Sequence, residues 1–101
     1  MEKLAVALLD LAKEIPAEIN WVLRVDGHTD NVQLSGSGRY RDNWELSSAR
    51  ATSVVKFLIS KGVPANRLVA AGFGEYQPIA EGDTPEARQQ NRRIELKLTE
   101  R

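Results

Sequence analysis

Residues 44–74, WELSSARATSVVKFLISKGVPANRLVAAGFG, decide how this chain folds. Leu46, Val54, Phe57, Leu58 and Lys61 recur at helical spacing, with Asp42 or Asn43 as a natural N-cap just upstream. Gly62 ends the helix, and Pro64 keeps it from resuming. RLVAAGFGE then alternates enough to be a strand, with Gly72 and Gly74 marking a bulge or a close backbone approach near its end. The stretch reads as a helix over 44–61 followed by a strand over 67–74.

Outward from it, NWVLRVD puts Trp21, Leu23 and Val25 on one face and Val22 and Arg24 on the other, a strand over 20–26. Before it, Leu4, Leu8, Leu11, Ala12 and Ile15 draw one apolar stripe on a helix over 2–15 that Pro16 closes. Downstream, Asp83 or Thr84 caps a short helix over 84–90 with Pro85 at its first position. RRIELKLTE alternates Ile94, Leu96 and Leu98 against Arg93, Glu95, Lys97 and Thr99, a strand over 92–99 with one buried face. This order predicts an α+β domain over 1–101, a two-layer α/β sandwich with helices on one face of a small mixed β-sheet.

The 101 residues suit one core, and 42% hydrophobic with 28% charged is a globular balance. Fourteen basic residues meet fourteen acidic ones, so no net charge draws the chain to nucleic acid or an anionic membrane. The absence of cysteine excludes thiolate catalysis and cysteine-ligated zinc and leaves the compartment open. No apolar run spans a bilayer. Charges at Glu2, Asp10, Lys13 and Glu14 make the N-terminal run a helix of the fold, not a signal peptide, so any export signal or anchor is expected outside this chain.

Residues 26–31, DGHTDN, place the only histidine among carboxylates, at the start of a long loop over 27–43 that carries Gly27, Gly36 and Gly38. Loops of this length inside compact domains are usually functional or mobile. His28 with Asp26 and Asp30 falls short of a zinc set, because no second histidine or cysteine exists, and no glycine-flanked nucleophile elbow accompanies it. Neither a metal, a cofactor nor a catalytic residue is therefore expected; a hydrolase using Asp26, His28 and Asp30 is the enzyme alternative. On local chemistry a well-capped turn and a ligand-binding loop are about equally supported. Gly27 allows a tight exit from the strand, and Thr29, Asp30 and Asn31 suit turns.

Arg50 falls near the helix face of Leu46 and Val54, where a guanidinium needs a partner, and Asp30 is the obvious one. In NRR, residues 91–93, two arginines entering an alternating strand point to opposite faces, so this is not a nucleic-acid patch. Trp44 and Tyr40 flank the loop, Trp44 more in keeping with packing than with contact.

VDGHTDN, the run NWELSSARATSVVKFLISKGVPANRLVAAGFGEYQP and NRRIELKL together resemble the OmpA-like peptidoglycan-binding domain at the C-terminus of OmpA, Pal and MotB. The resemblance runs from about Trp21 to Leu98, and RYRDNWELS with its lengthened loop is closer to the MotB branch. It implies a non-catalytic periplasmic module of a diderm bacterium that holds peptidoglycan through meso-diaminopimelate and reaches membranes only through other parts of its parent. By the same resemblance Asp30 and Arg50 grip the ligand. Thr29, Asn31, Leu46 and Ser47, with Asn91 and Arg92 or Arg93, line the site, while His28, Gly27 and Asn43 support it.

An ordered Asp30–Arg50 pair in the empty site is the expected pre-organisation. The family's domain opens with a strand before its first helix, whereas this sequence starts at the helix, so either it is a trimmed segment or the sheet is expected to be one strand short. An uncovered edge invites pairing, so a homodimer gains weight. A dimerisation or scaffold module of a flagellar-stator or secretion-type complex is the alternative function.

Overall fold

A computed structural model describes residues 2–34 and 38–100. Helix α1 spans Glu2–Glu14, strand β1 Trp21–His28, helix α2 Asn43–Ser60, strand β2 Leu68–Gly72, helix α3 Pro85–Asn91 and strand β3 Arg93–Glu100. The sheet order is β2-β1-β3, with β1 parallel to β2 and antiparallel to β3. This is an α+β fold on a small mixed sheet.

The apolar stripe of α1 and the inner stripe of α2 cover one face of this sheet. Ala5 from α1, Ala51 and Leu58 from α2, and Trp21, Leu23 and Val25 from β1 form one buried cluster, with Leu8, Leu9, Val54 and Leu96 packed around it. At about 25 cal/mol per Å2 of apolar area removed from water, this burial is the main force holding the layers together. Among the described residues no helix is long and apolar enough to cross a membrane.

Local chemistry fixes the ends of α2. Asp42 accepts the Glu45 amide at 2.9 Å as N-cap, and the Glu45 carboxylate reaches back to the Arg41 amide at 3.3 Å. After the helix Gly62 adopts φ +104, a conformation that favours glycine. Thr84 caps α3 by accepting the Ala87 amide at 3.1 Å.

Two boundaries differ from expectation. β1 continues through Gly27 and His28, opposite Ile94 and Arg93 of β3, so the expected 27–43 loop starts two residues late. Gly27 is therefore not a tight exit from the strand: a Cβ there would lie 2.2 Å from the Ser47 carbonyl oxygen, so glycine lets β1 run directly beneath α2. The strand expected over 67–74 is confined to Leu68–Gly72 after a 3-10 turn, Ala65–Arg67. Residues 35–37, including Gly36 of the expected loop, lie outside the described residues, as do Met1 and Arg101.

Candidate functional site

The parallel strands β1 and β2 end side by side, beneath the start of α2 and beside the start of β3. Crevices beyond the carboxyl ends of parallel strands are the usual binding places of open sheets. Here close packing builds the crevice. A Cβ at Gly72 would come within 2.1 Å of Ser48 Oγ and 2.7 Å of the Ser48 amide nitrogen, so the absence of side chains at Gly27 and Gly72 lets α2 sit on the strands.

Buried amides and hydroxyls then fasten the loops to this frame. Ser47, fully buried, donates from Oγ to the Trp44 carbonyl at 3.1 Å and accepts the Gly74 amide at 2.9 Å. Gly74, at φ +62, in turn accepts the Thr29 amide at 2.9 Å, which ties the loop after β2 to the loop after β1. Asn43 donates to the Val32 and Asp30 carbonyls at 3.1 and 3.3 Å and lies 3.4 Å from a Glu75 carboxylate oxygen. Asn91 accepts the Ile79 and Ala80 amides at 2.9 and 3.1 Å and donates to the Ala80 carbonyl at 3.0 Å. All three are buried where they stand, so these bonds replace contacts with water that folding removed.

Above that layer sit charges. Asp30 accepts the Val32 amide at 3.1 Å with one oxygen and the Arg92 guanidinium at 2.6 Å with the other. The expected partner, Arg50, is not the one used. Arg92 reaches Asp30 because the chain leaves α3 directly beside the 29–34 loop, whereas Arg50 projects from the second turn of α2. Arg50 is half-buried, two turns along α2 from Asn43 and one turn from half-buried Leu46, and makes no hydrogen bond or ion pair with any described residue. Asn31 hydrogen-bonds to Asp83, and Thr29 donates its hydroxyl to the Asp30 carbonyl at 2.9 Å. Thr29, Asn31, Glu75, Ala80, Gly82 and Asn91 line a groove of about 240 Å3.

Two residues fall elsewhere. Arg93 shares the sheet face of His28, away from the helices, where it bonds Glu95 and donates to the Gln77 carbonyl at 2.8 Å. His28 does not organise the loop by hydrogen bonding: its nitrogens have no partner, and its ring stacks on Phe73 at 5.1 Å. Burial, reinforced by the charge of Arg93, holds the His28 pKa below that of an ordinary imidazole.

Sequence reasoning missed Glu75, which receives Gln33 at 2.7 Å as well as facing Asn43, and Asp83, the partner of Asn31. Both lie in a stretch without periodicity, where no spacing signal could single them out. No group of three residues suited to a metal exists among those described.

The profile of the OmpA family matches residues 2–92. The chain belongs to the OmpA family. It is 38% identical over 78 residues to motility protein B of Bacillus subtilis, covering 76% of this chain and 30% of that protein. It is likewise 38% identical over 72 residues to the peptidoglycan-binding protein ArfA of Mycobacterium tuberculosis, covering 71% of this chain and 21% of that protein. The crystal structure of the periplasmic domain of Helicobacter pylori MotB superposes with TM-score 0.82 at 30% identity, over 99% of this chain and 62% of that one. This OmpA-family chain thus spans about a third or less of the curated relatives named here.

Proposed function

We propose that this domain binds peptidoglycan without catalysis, gripping meso-diaminopimelate of the stem peptide and so holding a parent envelope protein to the cell wall. The observation that carries the reading is the unequal commitment of the two motif charges, Asp30 and Arg50. Asp30 is engaged on an exposed guanidinium that a ligand can displace, while Arg50 has no hydrogen bond or ion pair among the described residues. The distal end of diaminopimelate carries an ammonium and a carboxylate on one carbon. Asp30 accepts the ammonium and Arg50 clasps the carboxylate with parallel hydrogen bonds, so neither charge is left alone in the complex. Arg92, released from Asp30, stays at the rim as a second cation. Ser47, Asn43 and Asn91 hold the loops, and Thr29 and Asn31 face the groove.

Two relatives support this reading: ArfA is a peptidoglycan-binding protein, and the Helicobacter MotB domain is periplasmic. Pull-down on purified diaminopimelate-type peptidoglycan tests it, comparing wild type with Asp30→Asn and Arg50→Ala. Loss of retention by folded variants is the expected result; undiminished retention of both overturns the assignment. Release of soluble muropeptides by the wild type would overturn the non-catalytic reading.

A further inference from the structure

Among the described residues the sheet ends in two unpaired edges, and they are not protected alike. β2 offers five residues and ends at Gly72, packed beneath α2. β3 offers eight, Arg93–Glu100, without a proline, a glycine or a bulge, and its backbone bonds to no described backbone but that of β1. A long, regular edge with open amides and carbonyls is a template for another strand.

The apolar layer is also incomplete along this edge. Leu23 on β1 is 4% exposed, whereas Leu98, opposite it on β3, is 49% exposed, and Ile94 and Leu96 are only half-buried. α2 lies over β1 and β2 rather than over β3, and Leu98 borders an apolar hollow of about 310 Å3 with Ile15, Ile19 and Trp21. On the other face the charges of β3 are poorly matched within the chain. Lys97 lies opposite Arg24 and Glu95 opposite Asp26, like facing like.

The order of residues on β3 is its own complement. Two copies paired antiparallel about Leu96 set Ile94 against Leu98 and Leu96 against Leu96 on the helix-covered face. On the other face Glu95 meets Lys97 and Arg93 meets Thr99, each pair occurring twice by symmetry. A shift of two residues either way instead opposes Glu95 to Glu95 or Lys97 to Lys97, and a shift of one turns apolar side chains to the charged face.

We propose that β3 pairs in this register with β3 of a second copy, giving a closed two-fold dimer with a continuous sheet of three strands from each chain. Lys97 then meets Glu95 of the second copy, and Ile94 of that copy lies beside the exposed flank of Leu98. Because the two-fold axis reverses β1 along with β3, the Asp30 grooves open at opposite ends of the joined sheet. The dimer thus presents two grips, a consequence that rests on the wall-binding reading, whereas the pairing itself does not.

Sedimentation of the 101-residue chain at neutral pH and low salt, in a concentration series up to about 1 mM, tests the pairing. A monomer–dimer equilibrium that stops at two is expected, with a sub-millimolar dissociation constant for an interface this small. Lys97→Glu weakens it about tenfold, because like charges then oppose in both symmetry-related pairs, while Arg24 across β1 gains a partner and the fold is kept. Adding Glu95→Lys in the same chain restores pairing, since unlike charges face each other again in reversed order. Asp30→Asn leaves dimerisation unchanged, which separates this edge from the wall-binding groove. Isotope-filtered nuclear Overhauser contacts between Ile94 of one copy and Leu98 of the other read the register directly. No association at about 1 mM, association indifferent to Lys97→Glu, or a dimer without the Ile94–Leu98 contact overturns the proposal. Slow exchange of the β3 edge amides that persists at high dilution assigns the edge to another segment of the same chain and overturns it as well.

Discussion

The motif residues divide into two layers that differ in burial and in what holds them. Asn43, Ser47 and Asn91 are at most 6% exposed, and each bonds the backbone of a neighbouring loop, although Asn43 Oδ1 is left without a partner. Asp30 and Arg92 are joined by an ion pair whose arginine is 45% exposed, while Arg50 is half-buried on α2 and makes no ion pair among the described residues. An exposed pair of this kind contributes about 0–1 kcal/mol, whereas a buried donor stripped of its acceptor costs about 1–3 kcal/mol. The same motifs therefore supply a scaffold that is expensive to disturb and a set of charges that is cheap to rearrange.

The sharpest way to break this division is Gly27→Ala. Its methyl would meet the Ser47 carbonyl oxygen at 2.2 Å, where backbone and not a flexible side chain must yield. Forcing α2 from β1 is expected to cost about 3 kcal/mol in chemical denaturation, the upper end for overpacking. A stability within error of wild type would show that the two elements separate freely.

Next in size is Asn91→Ala, which orphans the Ile79 and Ala80 amides and should lower stability by about 1–3 kcal/mol. Peptidoglycan retention should fall only in proportion to unfolding. If retention vanished at full stability, Asn91 would belong to the gripping layer and the division would be misplaced there.

Arg50→Ala and Asp30→Asn are expected to do the opposite. Stability should change by less than about 1 kcal/mol while retention on peptidoglycan is lost. Thermal unfolding and pull-down on the same preparations measure both.

The smallest effect is in pH. His28 has its pKa lowered in the folded chain, so between the unfolded and folded values the unfolded state binds more protons. Stability should be unaffected above about pH 7 and decline as pH falls through about 6.5, the ordinary imidazole value. His28→Phe should flatten that slope in thermal melts; an unchanged slope would place the titrating group elsewhere. The Arg93 hydrogen bond lowers the Glu95 pKa, so its contribution is lost only at more acid pH.

What local chemistry dictates could be read directly. Asp42 before α2 and Pro85 after Thr84 announce their helices, Ile94, Leu96 and Leu98 declare an alternating strand, and Gly62 with Pro64 ends α2. Arg92 and Arg93 do part, one to Asp30 and the other to His28 and Glu95, but Arg92 caps α3 and only Arg93 belongs to β3. Such features depend on a few neighbouring residues and on the fixed periods of helix and strand.

Tertiary structure alone decided which partners met. That Asp30 takes Arg92, 62 positions away, and leaves Arg50 without an ion pair among the described residues depends on where α3 delivers the chain, which no local period encodes. The role of Gly27 is likewise invisible until α2 lies on β1, because the missing side chain matters only for the backbone that fills its place. The sequence by itself determined the elements and the candidate charges. Their pairing, burial and division between scaffold and grip came from packing, where contacts between distant segments outweigh local preference.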